Sequence, residues 1–163
     1  MTTLPAGYTL RPATVADAER IQAQRDALFL EMGEDRARIQ AVSVAGRCWL
    51  EDALCRHYYQ GWLAETGGEV VAGAGLVWAD MPPNPHTLLG VWAYLLNVYV
   101  QPAHRGRGLS GVLLGSAEAE ARARGVNLMY LHASEAARPL YLRRGYFDNS
   151  GMEAHLLTMD GRP

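Results

Sequence analysis

Apolar positions along this chain recur first at helical and then at strand spacing. A short run at Tyr8–Arg11 predicts a first strand. Thr14 then offers an N-cap, with Asp17 three positions on as an analogue of a capping box. A helix is expected from there to about Leu30, with Ala18, Ile21 and Leu28 inward, and Gly33 breaks it. A second helical stretch from about Glu34 to Tyr59 carries Ile39, Val42, Val44, Ala45, Trp49, Leu50, Ala53 and Leu54 as its apolar positions. Gly46 leaves open a kink or a split into two helices.

From Trp62 the period becomes two. Trp62–Glu65, a Thr66–Gly67–Gly68 turn and Val70–Trp78 read as an antiparallel hairpin. Met81–Pro85 is a loop, and a further strand covers about Gly90 to Val100. A helix follows from about Leu109 to Arg124, apolar at Leu109, Val112, Leu113 and Ala117, with Gly125 as its stop. Asn127–His132 reads as a strand, Glu135 to Arg144 as a short helix stopped by Gly145, and Met152–Met159 as the last strand. No repeat and no linker interrupts this order, which predicts one α/β sandwich over residues 1–163.

Composition narrows the picture. With 163 residues, 49% apolar and 20% charged, the chain suits one globular domain with a real core. Its net charge of −2 gives no global attraction to nucleic acid or to an anionic membrane. No long apolar run, signal peptide or lipidation motif stands out, so a cytoplasmic protein is expected. There is no lysine: all 15 basic residues are arginine, which excludes a Schiff-base or P-loop lysine. Cys48 and Cys55 fall two helical turns apart, roughly 10.5 Å at the usual rise, too far for a disulfide. They lack zinc spacing, so they read as structural thiols, and no metal is expected.

The chemistry concentrates between Asn97 and Gly111. A β-rich run ends at Pro102, a basic glycine-rich turn follows, and a helix begins. Glycines let backbone N–H groups approach a ligand, and a helix N-terminus adds positive partial charge, so the segment is built to bind a phosphate or pyrophosphate. Gly106–Gly111 matches the GxGxxG dinucleotide fingerprint, but too few residues remain for a doubly wound domain. The acidic residue expected after the next strand is also absent, which counts against a nicotinamide-binding oxidoreductase. An ordinary glycine turn with surface arginines is the plainer alternative. Two arginines, two glycines and a helix start coincide behind one apolar strand, and that outweighs it.

Arg105–Gly106–Arg107–Gly108–Leu109–Ser110 resembles the R/Q-x-x-G-x-G/A signature of the GNAT superfamily of N-acetyltransferases, with Ser110 where Gly or Ala is usual. Ser134–Tyr146 resembles the family's N-x-x-A-x-x-L-Y-x-x-x-G-F: Ala137, Leu140, Tyr141 and Gly145 match, while Ser134 replaces Asn and Tyr146 replaces Phe. The two motifs lie in order within about residues 62–159; the first 60 residues match in pattern only. The resemblance implies a mixed, largely antiparallel central sheet of six to seven strands flanked by about four helices.

It also implies a site. Arg105, Gly106, Arg107, Gly108, Leu109 and Ser110 would hold the pyrophosphate of acetyl-coenzyme A. Val98, Tyr99 and Val100 would line its pantetheine arm, with a backbone N–H near Tyr99 or Val100 facing the thioester oxygen. Ser134, Ala137 and Tyr141 would complete the cofactor site, with Tyr141 as the acid that protonates the departing thiolate. The acceptor would be a primary amine of a small molecule or of a peptide N-terminus; a catalytically silent coenzyme A-binding domain is the alternative. A homodimer is compatible with this reading.

The base is open. Glu31, Glu34, Asp35, His86 and His132 are candidates, and a water chain or an already neutral amine needs none. Phe29, Met32, Tyr58, Tyr59, Trp62 and Trp92 could line an acceptor pocket, and the acidic Glu31–Glu34–Asp35 group would suit a cationic acceptor.

Overall fold

Gly67 and Gly68 both adopt positive φ, +57° and +82°, and so turn the chain tightly between its two longest hairpin strands. The structure, a computed structural model, describes residues 3–85, 87 and 89–148. In chain order these form β1 (Thr9–Pro12), a 3₁₀ turn (Val15–Asp17), α1 (Ala18–Glu31), α2 (Arg36–Cys55), β2 (Tyr59–Thr66), β3 (Glu69–Asp80) and β4 (Val91–Val100). A second 3₁₀ turn (Pro102–His104), α3 (Leu109–Ala123), β5 (Met129–Tyr130) and α4 (Arg138–Arg143) follow. The chain divides into two compact units: one runs to His132 and holds the sheet and α1–α3, the other begins at Ala133 and holds α4.

The sheet order is β1-β2-β3-β4-β5. Neighbours run antiparallel except β4 and β5, which are parallel, so the sheet is mixed and largely antiparallel as expected. It has five strands among the described residues; the expected strand at Met152–Met159 lies outside them.

Alternation assigns the two faces of the sheet. Tyr59, Leu63 and Val77 join Ala18, Ile21, Leu50, Ala53 and Leu54 in one apolar cluster, so α1 and α2 cover that face. Trp62, Ala74, Leu76 and Trp78 point the other way, toward the side where α3 buries Leu109, Leu113, Leu114 and Ala117. Arg124, at the end of α3, lies over the Trp78 ring at 4.2 Å.

Several boundaries differ from the expectation. α2 runs unbroken through Gly46. It buries only Ile39, Leu50, Ala53 and Leu54; Val42, Val44 and Trp49 are exposed, as are Cys48 and Cys55, so the thiols are not structural. A helix packed along one narrow stripe needs few inward positions, and apolar residues beyond the stripe stay on the surface. β2 starts at Tyr59 rather than Trp62, because the second helix stops at Cys55 instead of reaching Tyr59. β5 keeps only Met129–Tyr130 of Asn127–His132, and α4 is shorter than Glu135–Arg144.

The entry to α1 is fixed by charge. Asp17 accepts from the Thr14 N–H at 2.9 Å and Oγ1 at 3.0 Å, as the capping analogue predicts. Both its oxygens also take Arg11 nitrogens at 2.8 Å. Hydrogen bonding from Arg11 holds the buried Asp17 carboxyl well below the usual carboxylate range.

Candidate active site

The centre of β4 is irregular. Opposite β3, Gly73 pairs with Tyr99 and Gly75 with Leu96, so β4 carries one residue more than its partner between these pairs. Asn97 takes up the excess in the left-handed region at φ +56°. Its side chain holds it there: Oδ1 accepts from Arg25 at 2.7 Å, and Nδ2 faces the Tyr59 hydroxyl at 3.4 Å. Opposite stand two glycines, and Gly75 is held to glycine by the Tyr59 ring. A Cβ at Gly75 would fall 2.0 Å from the Tyr59 oxygen, and one at Gly73 2.4 Å from Gln24 Oε1.

β4 also parts from β5. Their pairing ends at Tyr94↔Tyr130, so the edge of β4 from Leu95 to Val100 has no strand beside it there among the described residues. Val98 is half-buried and Tyr99 and Val100 are buried along this edge. A strand edge of this kind offers backbone hydrogen-bonding groups to an extended ligand.

That edge runs into the turn. Gly106 and Gly108 adopt φ +74° and +82°, which glycine permits without strain. The first helical bond of α3 runs from Val112 N–H to the Gly108 carbonyl, so the N–H groups of Leu109, Ser110 and Gly111 have no acceptor within the helix. These are fitting residues for a pyrophosphate, because unpaired amides and a helix dipole converge there. Arg107 is exposed and makes no ion pair among the described residues. Arg105 is engaged elsewhere: its Nε donates to the Val100 carbonyl at 2.9 Å and one terminal nitrogen to both Glu31 oxygens at 2.7 and 2.6 Å. Glu31 also accepts from the Tyr99 hydroxyl at 3.3 Å.

On the α1–α2 face a cavity of about 220 Å³ meets the bulge, lined by Gln22, Arg25, Gly46, Trp49, Leu50 and Asn97. Gln22 Nε2 donates to Asp26 Oδ1 and Ser43 Oγ to Asp26 Oδ2, both at 2.6 Å. Gln22 Oε1 is buried with no hydrogen-bond partner among the described residues. Gly46 makes room for it, since a Cβ there would come within 2.4 Å of that oxygen. Burial raises the Tyr59 phenol to about 12, and desolvation lowers Arg25 from the ordinary guanidinium value.

The aromatic residues proposed for an acceptor pocket scatter. Tyr59 reaches the bulge and Phe29 lies under Arg25 at 4.7 Å. Tyr58 is exposed against Trp49, Met32 is exposed, Trp62 faces α3 and Trp92 stacks on Tyr130. Of the base candidates, Glu31 is paired with Arg105 and Asp35 caps α2 by accepting from Arg38 N–H. Glu34 is exposed, and His86 lies outside the described residues. His132 Nδ1 meets the Tyr94 hydroxyl of β4 at 2.6 Å.

In the C-terminal unit, Ser134 Oγ accepts from the N–H of Ala137, the residue that caps α4. Tyr141 is buried edge-on against Tyr146, with ring centres 5.6 Å apart, and burial raises its phenol above the ordinary value. Arg25, Gln22 and the Asn97 bulge had no place in the sequence-based expectation, and Gly46 figured there only as a helix break. An asparagine inside a β-rich run, a residue that tolerates positive φ, was the available signal.

Comparison with known proteins identifies the family and agrees with the fold. The family model "Acetyltransferase (GNAT) family" matches residues 24–146. A GCN5-related N-acetyltransferase from Ralstonia eutropha JMP134 is 38% identical, with a TM-score of 0.89 over 92% of this chain and 99% of that one. A predicted acetyltransferase from Clostridium acetobutylicum, solved with acetyl-CoA, is 24% identical with a TM-score of 0.86 over 91% and 96% of the two chains. An aminoglycoside N-acetyltransferase in complex with CoA is 15% identical with a TM-score of 0.70, covering 94% of this chain and 97% of that one. No curated protein matches the chain. The family match and the Ralstonia neighbour put this mixed sheet in the acetyltransferase class of folds. The chain belongs to the GNAT acetyltransferase family.

Proposed function

We propose that this protein, acting as one domain in the cytoplasm, transfers the acetyl group of acetyl-coenzyme A directly to a primary amine of a small molecule or peptide. The observation that carries this reading is the β4 edge from Leu95 to Val100, with no strand beside it among the described residues, followed after the glycine turn by the amides of Leu109, Ser110 and Gly111, which have no acceptor within α3. Those amides and Arg107 would hold the pyrophosphate, with Gly106 and Gly108 keeping the backbone close. Val98–Val100 would pair with the pantetheine arm. Acetyl-coenzyme A supplies the activated acyl group.

The chain's own groups serve the rest. A backbone N–H at the β4 bulge would stabilise the charge that develops on the carbonyl oxygen. His132, bonded to Tyr94 on β4, would accept the amine's proton. The Tyr141 phenol, kept protonated by its raised pKa, would donate to the leaving sulfur.

Calorimetry with acetyl-coenzyme A and with NAD(P), together with thiol release on an amine panel, tests this. Binding of acetyl-coenzyme A with thiol release supports it. Binding without turnover on any amine favours a silent coenzyme A-binding domain, and binding of NAD(P) alone ends the reading.

A further inference from the structure

Transfer to an amine leaves the acceptor's class open, and the cavity between α1, α2 and β4 narrows it. Arg25 enters this cavity half-buried, and among the described residues no carboxylate pairs with it. Asp26, its neighbour in sequence, spends one oxygen on Gln22 and the other on Ser43. The hydrogen-bond and ring partners of the Arg25 guanidinium are neutral, the Asn97 amide and the Phe29 ring, and the Asp26 carboxylate acts on it only through space, as the Tyr59 and Tyr94 phenols do. Tyr59 stays protonated far above neutrality. A guanidinium taken out of water without a directly paired anion is costly, and its planar fork matches a carboxylate.

A second observation stands beside it. Gln22 is buried, and its Nε2 must face Asp26 because a carboxylate only accepts. Its Oε1 is thereby fixed toward Gly46 at the cavity wall, an acceptor without a donor among the described residues. The cavity thus offers a cation and an unused acceptor. Trp49 and Leu50 supply its apolar wall. At about 220 Å³ it is smaller than the ~300–1,000 Å³ that encloses a drug-sized ligand, so its occupant is compact.

We infer that the acceptor is a compact amine bearing a carboxylate, of the α-amino acid kind, with the carboxylate on Arg25 and the amine directed to the β4 bulge at Asn97. This rests on the transfer reading above. It replaces the cationic acceptor that Glu31, Glu34 and Asp35 suggested, since Glu31 is neutralised by Arg105 and Asp35 serves as a helix cap.

The experiment compares amino acids with their decarboxylated counterparts and amides, from glycine with methylamine to leucine with isopentylamine and leucinamide, by thiol release from acetyl-coenzyme A. For at least one pair the amino acid should show a kcat/KM tenfold or more above both counterparts. The amide's amine is the less basic and more often neutral, so chemistry alone would favour it. The amine-less acid of the preferred pair should inhibit competitively against the acceptor. Arg25→Gln should bring the preference within threefold, and Gly46→Ala should raise the acceptor KM while acetyl-coenzyme A affinity stays constant. If Arg25→Gln fails to fold, the inhibition of the wild-type protein decides. Acetyl-coenzyme A binding with no preference for any carboxylate, no inhibition by the amine-less acid, or a preference that survives in a folded Arg25→Gln overturns the inference and leaves the transfer reading standing. Absence of both acetyl-coenzyme A binding and thiol release overturns the two together.

Discussion

One terminal nitrogen of Arg105 lies within 2.7 Å of both carboxylate oxygens of Glu31, tying the end of α1 to the first residue of the glycine turn. The pair is roughly half exposed, so its own contribution to stability is small, about 0–1 kcal/mol. Its effect is on charge. Arg105 is partly neutralised, and among the described residues Arg107 has no ion-pair partner.

Charge removal at the turn should therefore be unequal. Arg107→Ala should weaken acetyl-coenzyme A binding by about five- to tenfold, in line with one lost exposed charge-assisted contact. Arg105→Ala should weaken it less. Calorimetry at two salt concentrations reads this, and equal losses would contradict the pairing.

Tyr141→Phe should lower kcat at least tenfold while the acetyl-coenzyme A Kd stays within twofold, the pattern expected on losing a general acid. Because burial raises the phenol, the wild-type rate should not fall on the alkaline side until above the ordinary tyrosine range near ~10. An unchanged kcat in the variant would remove the assigned role.

His132→Ala should reduce the acceptor kcat/KM by about a hundredfold, and Tyr94→Phe by less, since it removes only the partner of the imidazole. Steady-state kinetics with a fixed amine checks the order of the two effects.

Asn97 should be replaceable in one way and not another. Asn97→Gly keeps the positive φ and loses the two side-chain bonds; Asn97→Val also meets backbone strain of about 1–2 kcal/mol. Urea denaturation should rank Asn97→Val clearly below Asn97→Gly. Equal stabilities would show that the bulge does not demand this conformation.

Acid should act through Asp17. Its folded pKa is depressed, so the stability it brings is fully present above the unfolded value of about 3.9 and is lost as pH falls below it. The urea midpoint should decline below about pH 4, and Asp17→Asn should flatten that decline. At pH 7 the variant should lose roughly 2–3 kcal/mol, the scale of hydrogen bonds to a charged group.

These outcomes separate what local pattern could reveal from what it could not. The hairpin about Gly67–Gly68, the stops at Gly33, Gly125 and Gly145, and the turn at Gly106–Gly108 were legible because each depends on backbone freedom within a few residues. The unbroken course of α2 through Gly46 was not, because the gap there is filled by Gln22 from another helix. The exposure of Val44 and Trp49 depends on how little of α2 meets its neighbours. The bulge at Asn97 depends on Tyr59 and Arg25, residues far away in the chain. Tertiary partners of this kind leave no period in the sequence.

Every ion pair in the described structure is made by arginine, and the chain has no lysine at all. A guanidinium stays protonated and is a poor nucleophile toward a thioester, so no side chain of this protein presents a primary amine. A member of an acetyltransferase family is thereby spared N-acetylation of its own side chains. In an assay on a protein acceptor, any acetyl-lysine found belongs to the acceptor.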